Sequence, residues 1–184
     1  MAHKRTGCWR MAVMAAASVL VFETNAMAAQ ASRQPASSAI AIPHVRGLGS
    51  RTAASRLVAD AERRSSTVHS LILALEKTDV YVLVEMGNRD GDTPGALYFS
   101  GAGHGTRWLR IVLHVSAKLV EQIALLAHEL QHALEIAKAP DVTDTPSLRR
   151  LYERIGYSAP TGGYETDAAR EVQRRALADL GVRL

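Results

Sequence analysis

Cysteine is nearly absent. The 184-residue chain holds one, Cys8, so no internal disulfide can form. Long apolar runs are absent as well. The most apolar stretch, Met11 to Phe22, has 12 residues, too few to cross a bilayer comfortably. Charge of one sign is not in excess: 22 Lys and Arg against 18 Asp and Glu leave +4. That is too little to argue for nucleic acid or an anionic membrane surface as a partner. There is no internal repeat, and no histidine follows His132.

What is present begins with a leader. Lys4, Arg5 and Arg10 make a basic start, Met11 to Phe22 an apolar middle, and Ala26-Met27-Ala28 a small-x-small cleavage site. The pattern predicts a secretory signal peptide over residues 1–28 and export to the periplasm or beyond, with no stable membrane insertion after cleavage. No lipid-attachment cysteine follows the apolar run. Cleavage leaves 156 residues of about +2, read as a lead-in, 29–50, and one domain, 51–184. Without a disulfide, that domain relies on a packed core, with any metal as a supplement.

Ala29 to Ser50 is rich in Ala, Ser, Gln, Pro and Gly and reads as flexible, with nothing functional on it, His44 included. Thr52 to Glu76 is helical by the spacing of Leu57, Ala61, Val68, Leu71 and Leu75, with a break at Arg63-Arg64-Ser65-Ser66. Val80 to Val84 is β-rich, Asn88 to Gly95 a loop, and Ala96 to Ser100 a short strand. Ser100 to Thr106 is a glycine-rich turn carrying His104. Trp108 to Val115 alternates, with Leu109, Ile111, Leu113 and Val115 on one face. A long helix is expected from an N-cap at Ser116 to about Ala139, where Pro140 stops it. Its apolar stripe is Leu119, Ile123, Leu126, Leu130, Ala133 and Ala137. A short helix, Ser147 to Ile155, capped by Asp144 or Thr145, is followed by a loop, Gly156 to Gly163. A last helix runs from about Tyr164 to Leu180 and ends before Gly181. The expected class is α+β: a small mixed or antiparallel sheet packed on the long helix, then a helical C-terminal part.

The long helix carries His128-Glu129-Leu130-Gln131-His132, an H-E-x-x-H run. Histidines four apart on a helix are about 40° apart around the axis and about 6 Å apart along it, so both imidazoles can face one ion. The glutamate between them stands beside that ion without ligating it, where it can take a proton from water. This is the arrangement of a zinc peptidase. The flanks Leu125-Leu126-Ala127 and Ala133-Leu134, and the inner Leu130 and Gln131, are uncharged, as a buried metal helix requires. Neither histidine lies on the apolar stripe, so the helix can bury one side and offer the other to a cleft.

A catalytic zinc takes three protein ligands and a water. The lack of a downstream histidine excludes a three-histidine site. Glu135 faces the histidines' side, but it stands about 10.5 Å from His128 along the axis. It is therefore assigned to ion pairing or to holding a ligand in place. Glu165, Asp167 and Glu171 of the last helix are the remaining candidates. Glu165 is preferred, because it falls in the expected first turn and Ala168 and Ala169 let that helix approach closely. Asp167 lies about 200° around from it, and Glu171 also points elsewhere.

H-E-x-x-H followed by a glutamate on a later helix resembles the gluzincin branch of the zincin metallopeptidases, over roughly Val80 to Leu180. The order of strand, glycine turn, alternating strand, motif helix and glutamate helix is similar to the minimal core of that superfamily. Glu165-Thr166-Asp167-Ala168 resembles the E-x-x-A pattern of its ligand helix. The chain also looks like small secreted bacterial proteins with an H-E-L-Q-H-A-L-E helix. The resemblance implies Zn2+ held by His128, His132 and Glu165, with Glu129 as general base and a peptide or protein as substrate. One position departs. Many relatives carry an acid four residues after the ligand glutamate, to orient a ligand histidine, and here that residue is Ala169. Support must come from Asp167, Glu135 or a backbone carbonyl.

Two expectations concern the cleft. Trp108 to Val115 presents an edge to which an extended peptide could add as a strand. An oxyanion partner would come from Tyr157, Tyr164, His104 or Arg107, each of which also has a plain role in packing or solvation. His69, His114 and Met86 read as ordinary residues and Trp108 as a core or rim aromatic. The rival reading is a periplasmic binding or scaffold protein that keeps the fold without turnover. Ala169 favours it. The retention of Glu129 opposes it, since binding zinc does not need that glutamate.

Overall fold

In a computed structural model, the described residues are 42–49, 52–87, 94–159 and 163–183. The expected signal segment 1–28, most of the lead-in, and 88–93 of the expected loop lie outside them. No described helix is long and apolar enough to cross a membrane.

The class is α+β with a mixed sheet. Strand β1 (Val45–Gly47) leads through α1 (Ala53–Arg64) and α2 (Ser66–Leu75) to β2 (Val80–Gly87). A hairpin of β3 (Gly95–Gly103) and β4 (Thr106–His114) precedes α3 (Leu119–Ala137), the H-E-x-x-H helix. Then come α4 (Thr145–Ile155), a small ribbon of β5 (Tyr157–Ser158) and β6 (Tyr164–Glu165), and α5 (Asp167–Asp179). The strand order is β1-β2-β4-β3, parallel except between β4 and β3.

This order corrects two expectations. The lead-in is not featureless, because Val45–Gly47 pairs with Val82–Val84, and Val45 is buried. Three residues are too few for an alternation to stand out in the sequence. Strand β4 lies between β2 and β3, so both its edges are paired and it has none to offer a peptide. The edge strand beside α3 is β3.

Elsewhere the periodicities translate directly. Val80, Val82 and Val84 of β2 and Leu109, Ile111 and Leu113 of β4 are wholly buried, in register Val82↔Leu109 and Val84↔Ile111. Val115 falls past the strand and is exposed. The break between α1 and α2 is one residue, Ser65, which closes α1 and accepts from the Val68 N–H at 3.2 Å to open α2. Ser116 does not cap α3. Its N–H and hydroxyl turn to His114 Nδ1, while the Glu121 carboxylate accepts from the Lys118 N–H at 3.1 Å. The apolar stripe of α3 accordingly starts at Ile123, with Leu119 exposed. Ile123, Leu126 and Leu130 are fully buried, each worth about 1.5–3 kcal/mol.

The far end of α3 is held by a charge. Arg107, the second residue of β4, is buried. Its Nη1 donates to the carbonyls of Ile136 (2.8 Å) and Ala139 (2.7 Å), and Nη2 to that of Ala137 (3.2 Å). Its Nε and Nη2 grip the two Asp79 carboxylate oxygens at 2.7 Å each. A cation at a helix C-terminus meets both the unpaired carbonyls and the negative end of the dipole. The oxyanion role considered for Arg107 is therefore corrected: its donors are already engaged.

Replacing Arg107 with Met should lower unfolding stability by about 1–3 kcal/mol, because the helix-end carbonyls lose their donor while the Asp79 carboxylate, 40% exposed, falls back on water; urea titration measures it. The Arg107 hydrogen bonds hold the Asp79 carboxyl below its ordinary 3.8. A depressed folded-state value stabilises above the unfolded one, and that gain is lost as pH falls through the folded value. The urea midpoints of wild type and Asp79→Asn should differ above pH 3.8 and converge below it.

Candidate metal centre

On α3, His128, Glu129 and His132 are all buried, at 8%, 6% and 5% exposure, and line one cleft. Their surroundings form a cleft of about 860 Å³. Its walls are the start of β3, α3, α4, the β5–β6 ribbon and Gln173 of α5.

Glu165 reaches this cleft from β6, not from a helix. Thr166 caps α5, its hydroxyl accepting from the Ala169 N–H at 3.1 Å, so the helix cannot include the residue before it. The expected first-turn position of Glu165 is thus corrected, while its meeting with the histidines stands. Tyr157 pairs with Glu165 across the ribbon, and Gly156 lets the ribbon close against the end of α4. A Cβ at Gly156 would lie 2.6 Å from the Glu165 carbonyl oxygen, so no side chain fits there.

Glu165 Oε1 stands 3.2 Å from His128 Nε2 and 3.7 Å from His132 Nε2. One ligand atom from each of the three residues lies within 4.8 Å of the others, and the group can hold a metal ion. The far side of each ring is occupied. His132 Nδ1 meets Glu135 Oε2 at 2.8 Å, and His128 Nδ1 meets Gln173 Oε1 at 3.1 Å. Both partners can accept from an Nδ1–H, and in the neutral tautomer that donates to them each Nε2 lone pair is turned towards Glu165. Three electron-rich atoms converging in a buried place is the arrangement a cation relieves.

The electrostatics agree. Burial, then the neighbouring His132, hold the His128 imidazole below the ordinary histidine value, in the neutral form that ligates. Burial also pulls on His132, but the Glu135 hydrogen bond and the charges of Glu129, Glu135 and Glu165 outweigh it and leave it raised. A field that favours a proton there favours a divalent cation more. Glu135 itself is held low: burial opposes ionisation, and the bonds and charge of His132, with the Thr166 hydroxyl, overcome it.

Glu129 stays outside the three donors. A Cβ added at Gly95 would come within 3.1 Å of Glu129 Oε1, so its carboxylate lies directly against the edge strand. Glu135 takes the supporting place expected of it, and its other oxygen accepts from Thr166 Oγ1 at 2.8 Å. Asp167 accepts from the Tyr157 hydroxyl, and Glu171 is gripped by Arg174 and Arg175, so neither joins the cluster. Of the four residues considered for an oxyanion, only Tyr164 lines the cleft, its hydroxyl donating to Glu153 at 3.2 Å. His104 sits exposed in the β3–β4 turn.

Two contributors escape a reading of the sequence. Tyr152 of α4 is buried, its ring edge-on to His132 at 5.2 Å and its hydroxyl donating to the His132 carbonyl at 3.2 Å. Gln173 is the other, and it left a signal: Ala169 and Ala176 mark the buried side of α5, and Gln173 is the polar residue between them. No protein-family model, curated protein or solved structure matches the chain.

Glu165→Ala should weaken metal binding by more than the roughly 10–100-fold typical of a supporting residue. Asp167→Ala and Glu171→Ala should leave it unchanged. Competition with a chromophoric chelator reads all three, and loss in the Asp167 or Glu171 variant would reassign the ligand.

Proposed function

We propose that this protein is an exported zinc-dependent peptidase. What supports the reading most is the relation of Glu129 to the three donors: adjacent on the same helix, turned into the same cleft, and not needed to hold an ion. Two imidazoles and one carboxylate suit zinc and leave it a coordination position open, as a catalytic ion requires. The likeness to gluzincins in H-E-x-x-H plus a later glutamate points the same way.

Zinc bound by His128, His132 and Glu165 would polarise a carbonyl and acidify water towards pKa about 7. Glu129 accepts the proton of the attacking water and returns it to the leaving nitrogen. The edge of β3 that pairs with no strand among the described residues runs past Glu129 at Gly95 and offers backbone N–H and C=O groups to an extended peptide. This moves the docking strand from the alternating segment to its hairpin partner. Leu97, Leu125 and Leu148 give the cleft apolar walls for side chains of that peptide. The leader read over residues 1–28 would deliver the enzyme outside the cytoplasm, and its substrates are then peptides or proteins met there.

The rival scaffold reading drew on Ala169. The support expected at that position comes instead from Gln173 and Glu135, so the substitution no longer counts against a working site.

Glu129→Gln should lower hydrolysis of casein or a quenched peptide by about 10²–10⁴-fold or more, the contribution of a positioned general base. Metal analysis of the same variant should still find one zinc per chain. Turnover unaltered by the change would overturn the assignment of Glu129.

A further inference from the structure

Resting on the metal-site reading above, we infer that Gln173 is the positioning residue for His128: its amide oxygen holds the imidazole in the tautomer that ligates.

The inference starts from an asymmetry. Each candidate ligand histidine has one ring nitrogen in the cleft and one turned away, but the two outward partners differ. His132 leans on a carboxylate of its own helix, Glu135, one turn on at 2.8 Å. His128 has no such neighbour. Its counterpart comes from α5, 45 residues later, as an uncharged amide at 3.1 Å. An amide oxygen only accepts, so the hydrogen bond exists only while Nδ1 is protonated. In neutral imidazole that leaves Nε2 bare, facing Glu165 Oε1 at 3.2 Å. Without the acceptor, the proton is free to move to Nε2 and bond to Glu165, which would occupy two of the three donor atoms at once.

The fold around Gln173 is arranged to allow this reach. Ala169 and Ala176 are fully excluded from solvent, one on either side of it along α5. They bring the helix close to α3, and a five-atom side chain at that distance spans the gap. A neutral partner also suits the local charge. Glu129, Glu135 and Glu165 already bring three carboxylates to the two histidines. An amide fixes the ring without adding a fourth.

Three measurements on the full chain test this. In long-range 1H–15N NMR of the metal-free wild type at mildly alkaline pH, His128 should appear as the Nδ1–H tautomer; an Nε2–H tautomer would overturn the inference whatever the variants do. By chelator competition, Gln173→Leu, which keeps an apolar stem of similar bulk but has no acceptor, and Gln173→Met, whose thioether accepts only weakly, should bind zinc about 10–100-fold more weakly than wild type. Gln173→Glu, which keeps the acceptor, should bind at least as tightly as wild type. Equal zinc affinity in Gln173→Leu and wild type, or equal weakening in Gln173→Leu and Gln173→Glu, would refute the role of the oxygen. Should the wild type itself bind no zinc, the metal-site reading falls and this inference falls with it, an outcome distinct from any variant result.

Discussion

Burial of one side of α3 beneath the sheet is the constraint from which the site follows. Ile123, Leu126 and Leu130 set the rotation of the helix, and at about 100° per residue His128 and His132 are left facing the cleft. Position along the axis is set by a different force, the Arg107 guanidinium clamped on the last carbonyls and on Asp79. An apolar contact fixes the angle and a charged one fixes the slide. The histidines therefore sit on a rod that is located before any ligand arrives.

The other half of the site comes from elements with no regular structure to recommend them. Glu165 lies on a two-residue strand between a loop and a cap. It is held by connections on either side: the close approach at Gly156, the ribbon pair with Tyr157, and the Thr166 hydroxyl, which bonds both to Glu135 and to the first turn of α5. At the far end of α5, Asp179 accepts from the Ser65 hydroxyl and the Thr67 N–H, fastening that helix to the start of α2. The helix that carries Gln173 is thus pinned at both tips.

Most of the fold was legible because its signals are local. The alternation of β4, the break at Ser65 and the stripe of α3 from Ile123 onward each arise within a few residues of themselves. What was not legible depends on partners distant in the chain. Arg107 reads as an oxyanion candidate or a solvated loop residue until the end of α3, some thirty residues on, is brought over it. Whether β3 or β4 forms the edge is a question of strand order, on which alternation is silent. Val45–Gly47 is a strand because β2 offers it an edge, not because its own residues insist. Within the site, His128, Glu129 and His132 were readable from spacing. Glu165 was reached from its place beside Ala168 and Ala169 at the head of the last helix, though its helical setting was misjudged because Thr166 is a better cap than Tyr164. Gln173 was passed over because a glutamine on a helix is usually unremarkable, and only its flanking alanines distinguish it.

The clasp made by Glu165 and Thr166 bears on a chain with no cysteine beyond its eighth residue. An ion seated between α3 and the β6–α5 junction ties together two stretches far apart in sequence, much as a covalent bridge would. Unlike a bridge, this tie opens and closes with the supply of the ion, and its strength grows with the logarithm of that supply over the dissociation constant. Endurance against unfolding would then be a property of the surrounding medium as much as of the polypeptide, and scarcity of the ion would loosen it.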